Sequence, residues 1–180
     1  TPIFRDTETN FFNKLLVDSK IRGIISSYFA NLDYYEVQLG EYINIEEVYG
    51  PIEEWKTEKI TDMSNLFMNR TEFNADISEW NLSNVTTIDN MFKGASSFNQ
   101  NINIWNTSSV TSMKGVFDGA SSFNQDISGW VVDNVNTFES MFNGASSFNQ
   151  DISLWNTSNI ISMKNMFNGA SAFNQNISIW

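Results

Sequence analysis

The sequence predicts an α/β repeat solenoid over residues 51–180, with one short parallel strand and one short helix per 25-residue unit. A helical cap over residues 1–50 is predicted to precede it. Three observations carry the prediction. Tryptophan recurs at Trp55, Trp80, Trp105, Trp130, Trp155 and Trp180, 25 residues apart without an insertion. Further apolar registers hold the same phase, which is the mark of a repeat architecture. Within each unit a helix-like spacing gives way to a strand-like one, with glycine between.

The registers follow the tryptophans in order. Ile60, Val85, Val110, Val135 and Ile160 come first, then Met63, Ile88, Met113, Phe138 and Met163. Phe67, Phe92, Phe117, Phe142 and Phe167 form one phenylalanine register, and Phe73, Phe98, Phe123, Phe148 and Phe173 a second. Ile77, Ile102, Ile127, Ile152 and Ile177 complete the set, with Ile52 ahead of them. So many independent registers in one phase exclude chance.

The cap comes first along the chain. Residues 1–50 carry none of these registers. Phe11, Phe12, Leu15 and Leu16, then Ile21, Ile24, Ile25 and Phe29, space as one amphipathic helix, or as two with a break near Asp18 and Ser19. Asp33 is placed to N-cap a further helix through Leu39, and Asn44-Ile45-Glu46-Glu47 resembles a capping box that Gly50-Pro51 would end. A repeat stack needs its first apolar cross-section covered, and this segment is positioned to do so.

The helix of each unit is read at residues 60–68 and every 25 residues on. Val110, Met113, Val116 and Phe117 fall at i, i+3, i+6 and i+7, one helical face. Gly94, Gly119, Gly144 and Gly169 then stand where a helix C′ residue belongs. The strand is read at residues 75–78 and every 25 residues on, with Ile127 inward between Asp126 and Ser128. Asn and Ser around residues 131–134 and 156–159 supply the return turns. No such unit could fold alone, so each depends on its neighbours.

Composition narrows the function. Apolar residues make up 41% and aromatic residues 14%, enough for a sizeable core. Net charge is −11, without a cluster of Lys and Arg, which disfavours nucleic acid and anionic membrane surfaces. There is neither cysteine nor histidine, so thiol nucleophiles, disulfides, Cys/His zinc sites and His-based acid–base pairs are excluded. No apolar stretch reaches the roughly 18–20 residues that span a bilayer, so membrane insertion is not expected. Glu46/Glu47 and Glu53/Glu54 are paired acids without a matching cluster, and no Gly-rich phosphate loop is present. The expectation is a non-enzyme without a cofactor.

Two polar registers are candidates for function. Asn74, Asn99, Asn124, Asn149 and Asn174 read as an asparagine ladder, each side chain serving the backbone of an adjacent coil. Asp76, Asn101, Asp126, Asp151 and Asn176 form an outward row beside Ser78, Asn103, Ser128, Ser153 and Ser178. That stripe could meet a glycan, a protein or a hard cation, or be a merely solvated face; no D-x-D-x-D-G loop speaks for calcium. The tryptophans read as packing or as a carbohydrate platform, and their side is open. So is that of the position before them, occupied by Glu79, Ile104, Gly129, Leu154 and Ile179. N-x-S/T sequons begin at Asn69, Asn81, Asn84, Asn106, Asn156 and Asn176.

The unit Met141-Phe142-Asn143-Gly144-Ala145-Ser146-Ser147-Phe148-Asn149-Gln150-Asp151-Ile152-Ser153-Leu154-Trp155 resembles the repeat of BspA-like leucine-rich-repeat surface proteins. The likeness covers residues 50–180, and Tyr49-Gly50-Pro51-Ile52-Glu53-Glu54-Trp55 is similar to the lead-in before such arrays. It departs from the family in its period, 25 rather than about 26, and in lacking a lipobox cysteine. The resemblance implies a leucine-rich-repeat-like, right-handed strand–helix coil. It also implies an extracellular or cell-surface protein that adheres to a protein or glycan partner. The alternative is a structural assembly component of a virion or another large particle, with the array as spacer. Thr1 in place of Met reads as a processed or excised piece, with about five repeats continued beyond Trp180. A bare last coil would offer Phe167, Phe173 and Ile177 for end-on contact.

Overall fold

Each 25-residue unit closes on itself by tight turns. In the coil from Thr107 to Trp130, the Val110, Asp118, Ala120, Phe123 and Trp130 amides donate to the carbonyls of Thr107, Gly115, Phe117, Ala120 and Ile127. Every one of these bonds spans three residues. The computed structural model describes residues 51–180, together with the backbone of two strands ahead of them, β1 (Tyr34–Glu36) and β2 (Tyr42–Asn44).

Coils join through amides that alternate along the chain. Met113, Gly115, Phe117 and Gly119 donate forward to the carbonyls of Thr137, Glu139, Met141 and Asn143, at 3.3, 2.8, 2.9 and 2.7 Å. Thr111 and Ser122 donate backward, to Thr86 at 2.9 Å and Ser96 at 3.1 Å. The same offsets recur through the array, so each coil's buried backbone is satisfied by its neighbours.

This arrangement overturns the α/β solenoid expectation. Among the described residues of the repeat there is no α-helix and no extended strand, only a 3-10 turn at Ile52–Glu54 and isolated bridges. Those bridges are parallel and pair Asp62 with Thr87, Thr87 with Ser112 and Thr137 with Ser162. The leucine-rich-repeat-like strand and helix of each unit are therefore absent.

The helix fails for a local reason. An α-helix needs each amide to turn back four residues, but Asn65, Asn90, Gly115, Ser140 and Asn165 sit at φ between 54° and 62°. One left-handed residue in mid-segment redirects its amides to the next coil. A second follows at Gly94, Gly119, Gly144 and Gly169, with Asn69 in the first coil. The strand at residues 75–78 is replaced by a turn, since Trp80 donates to Ile77 at 3.1 Å.

In the region expected to be a helical cap, the helix from Asp33 through Leu39 is also replaced. β1 and β2 pair antiparallel there, with Tyr34 opposite Asn44, Tyr35 opposite Ile43 and Glu36 opposite Tyr42. The helices around Phe11, Phe12, Leu15, Leu16, Ile21, Ile24, Ile25 and Phe29 lie outside the described residues. So does the capping-box segment after Asn44.

The core is a set of columns. Phe67, Phe92, Phe117, Phe142 and Phe167 stack with ring centroids 5.5–5.7 Å apart. Phe73, Phe98, Phe123, Phe148 and Phe173 stack at 5.7–6.0 Å. Within one coil the two columns touch, Phe117 lying 3.8 Å from Phe123. Each such aromatic pair adds about 0.5–1.5 kcal/mol beyond its buried area. In the last coil Phe167, Phe173 and Ile177 are half-buried.

The tryptophans take the inner side. Trp55, Trp80, Trp105, Trp130 and Trp155 are 3–4% exposed, which removes the carbohydrate-platform reading of their ring faces. From the second coil on, the indole N–H finds an acceptor: Trp80, Trp105, Trp130 and Trp155 donate to the carbonyls of Ile52, Ile77, Ile102 and Ile127. The ring thus fills a core position and its polar edge ties one coil to the turn of the previous one.

Candidate functional site

The face that presents chemistry is the turn between the second phenylalanine and the tryptophan. The asparagine register runs along its start. Oδ1 of Asn74 accepts the backbone N–H of Asn99 at 2.9 Å, and Asn99 receives Asn124, Asn124 receives Asn149 and Asn149 receives Asn174 in the same way. A glutamine register reinforces it, a feature the sequence reading passed over. Gln100, Gln150 and Gln175 donate from Nε2 to the carbonyls of Asn74, Asn124 and Asn149. Its signal was the glutamine that follows Asn99, Asn124, Asn149 and Asn174.

Beyond the ladder comes the outward row. Oδ1 of Asp76, Asn101, Asp126, Asp151 and Asn176 accepts the amide two residues on, at Ser78, Asn103, Ser128, Ser153 and Ser178, over 2.8–3.1 Å. These are Asx turns, and Asp and Asn serve equally because only the accepting oxygen is used. All five turn residues are exposed. Asn103 links two coils, donating to Asp126 at 3.3 Å and accepting from the Gly129 amide at 2.9 Å.

The position before the tryptophan points to solvent, which periodicity alone left open. Ile104 is 67% exposed, Leu154 85% and Ile179 71%. Gly129 stands between Ile104 and Leu154, and Glu79 occupies the first coil. An exposed aliphatic row therefore runs beside the polar row, with Val131 also exposed two residues after Gly129. Large apolar side chains gathered on one exposed face mark candidate contact surfaces.

The Asp76 backbone bond from Ser78, with its side-chain bond, holds that carboxyl below the ordinary aspartate value of 3.8. Ser153 does the same for Asp151. A depressed folded-state pKa contributes stability above the unfolded value and loses it as pH falls through the folded one. Urea midpoints of the wild type are therefore expected to drop between neutral pH and about pH 3 more than those of D76N/D151N, whose amides keep the turns. Equal drops in both proteins would assign the acid sensitivity elsewhere.

Two ion pairs lie on the segment between the first phenylalanine's turn and its neighbours: Lys93 with Asp118 at 2.7 Å and Lys114 with Glu139 at 3.1 Å. Among the described residues no group of three or more Asp or Glu side chains converges where a metal ion could sit. No helix among them is long and apolar enough to cross a membrane.

A family profile described as "Mycoplasma protein of unknown function, DUF285" matches residues 39–142 and again residues 128–180. The chain belongs to the DUF285 family. Together the matches span the whole repeat, the first starting ahead of it at residue 39, so the buried registers and the turn face described above lie inside the family's shared region. No curated protein and no solved structure matches this DUF285 chain significantly.

Proposed function

We propose that this DUF285 chain is a non-enzymatic cell-surface binding module that meets a protein or glycan through its turn face. One observation carries the reading. The Asx-turn row from Asp76 to Asn176 repeats at the same spacing in every coil, exposed throughout, alongside the aliphatic row of Ile104, Leu154 and Ile179. A stack of near-identical coils offers a partner many equivalent contacts, so modest single contacts add up. The likeness of the Met141–Trp155 unit to BspA-like surface repeats supports the same direction. So does the −11 net charge, which favours neither nucleic acid nor an anionic bilayer.

The test replaces Asp126, Ser128, Asp151 and Ser153 together by Ala and applies the protein to glycan and extracellular-protein arrays. Wild type is expected to retain ligands that the variant binds at least about tenfold less tightly, a loss of about 1.4 kcal/mol. Unchanged circular dichroism would show that both are folded. If binding is untouched while particle or surface assembly depends on the residue 1–50 segment or the Trp180 end, the chain is an assembly spacer instead.

A further inference from the structure

Resting on that reading, we propose that the partner is a cationic polypeptide segment that seats a branched apolar side chain over Gly129, between Ile104 and Leu154. The argument begins with charge. Between Gly115 and Met163 the sequence holds five carboxylates and no Lys or Arg. Asp118 and Glu139 are taken by Lys93 and Lys114. Asp126, Asp133 and Asp151 have no cationic partner among the described residues, and all three are exposed. They also border the aliphatic row. Asp126 accepts from Asn103, the residue before Ile104; Asp151 closes the turn that leads into Leu154; Asp133 accepts from Asn156, two residues after Leu154, at 2.7 Å.

Shape comes next. Neighbouring coils put Ile104, Gly129 and Leu154 in sequence along the face, so the glycine leaves a gap one coil wide between two exposed aliphatic side chains. Its floor is fixed, because the Gly129 amide is held by Asn103 Oδ1. A Cβ at Gly129 would lie 2.8 Å from that oxygen, so any side chain here displaces the floor and fills the gap. The other coils carry Glu, Ile or Leu at this position, but Ile104, Leu154 and Ile179 follow Ser78, Ser128 and Ser153 one coil back where Gly129 follows Asn103, so a side chain at 129 requires the flexible Asn103 amide to swing aside. Exposed aliphatic walls bordered by carboxylates without a cationic partner are complementary to a segment with an apolar anchor between lysines or arginines. A glycan would want an aromatic platform, and the tryptophans that could form one are buried.

The experiment uses immobilised short synthetic peptides in three sets: lysine alternating with leucine or isoleucine, the same with glutamate for lysine, and lysine alternating with serine. The wild-type chain is expected to bind the first set in a salt-sensitive way and the other two at least about tenfold more weakly. D126N/D133N/D151N, in which amides at 126 and 151 can keep the Asx turns as Asn101 and Asn176 do and an amide oxygen at 133 can still accept from Asn156, is expected to lose most of the affinity and its salt dependence. Gly129→Leu is expected to weaken binding about fivefold or more while leaving the charge unchanged. Equal binding to the glutamate set, or full affinity in both variants, overturns the proposal. Array ligands lost in the alanine variant, with no lysine–leucine peptide bound, would sink the cationic-segment proposal and leave the binding module standing. Absence of both would remove the two together.

Discussion

Replacing Phe117 by Ala is expected to lower the unfolding free energy of the chain by about 3–5 kcal/mol. Phe117 is fully buried at the middle of its column, with Phe123 at 3.8 Å and Phe92 and Phe142 both at 5.7 Å. Its backbone bonds the next coil through Met141, so the lost ring leaves a cavity at an interface that cannot collapse without breaking coil-to-coil register. In a stack where each coil is stable only through its neighbours, that interface is shared by both sides. Phe167, in the last coil, is half-buried and has a column neighbour on one side only, Phe142. Its alanine variant is expected to lose roughly half as much. Urea unfolding followed by tryptophan fluorescence measures both. A loss below about 1 kcal/mol for Phe117→Ala would mean that the columns do not act as one core.

The contrast between the two variants shows which parts of the fold were open to sequence reasoning. The period and the inward side of the aliphatic and phenylalanine registers were readable, because burial requires the same residue type at the same place in every coil, whereas the side of the tryptophans was open until the structure buried them. Ile127, between exposed Asp126 and Ser128, is fully buried as the alternation requires. Secondary structure was not readable in the same way. Val110, Met113, Val116 and Phe117 have helical spacing, yet that spacing states only that the side chains share a side. A chain that alternates turns can meet the same demand. The deciding residues were Asn65, Asn90, Gly115 and Asn165, types that tolerate positive φ, recurring in mid-segment where a helix would not want them. Ser140 takes the same conformation without advertising it.

The candidate face divides along similar lines. Asp126 and Asp151 could be named because two polar residues flank an isoleucine, but their use in Asx turns depends on a turn that the strand reading denied. The row of Ile104, Gly129, Leu154 and Ile179 had no periodic chemistry to betray it. Variation at that position is itself informative once its outward direction is known. A core position cannot accept Glu, Gly and Ile in turn, whereas a contact surface gains its specificity from such changes.

Gly119→Val is expected to destabilise the chain by about 2–3 kcal/mol, whereas Gly119→Asn is expected to cost under about 1 kcal/mol. Gly119 has φ +75°, a conformation that a β-branched residue adopts only under strain. Space is not the obstacle, since an added Cβ would meet the Gly94 Cα and N at 3.6 Å, an ordinary contact. The cost is conformational, and it cannot be relaxed by turning the residue to negative φ. Gly119 donates its amide to the Asn143 carbonyl at 2.7 Å, and the neighbouring Ala120 amide returns to Phe117 at 3.0 Å. Rotating φ would break this coil-to-coil bond and tilt Phe117 out of its column. Asparagine already serves at the equivalent Asn69, with φ 60° and glycine in the coil that follows. At position 119 the following coil again supplies a glycine, Gly144, so the side chain has the same room. Urea midpoints of the two variants against wild type decide it. If valine and asparagine cost the same, size at this position matters and left-handed geometry does not.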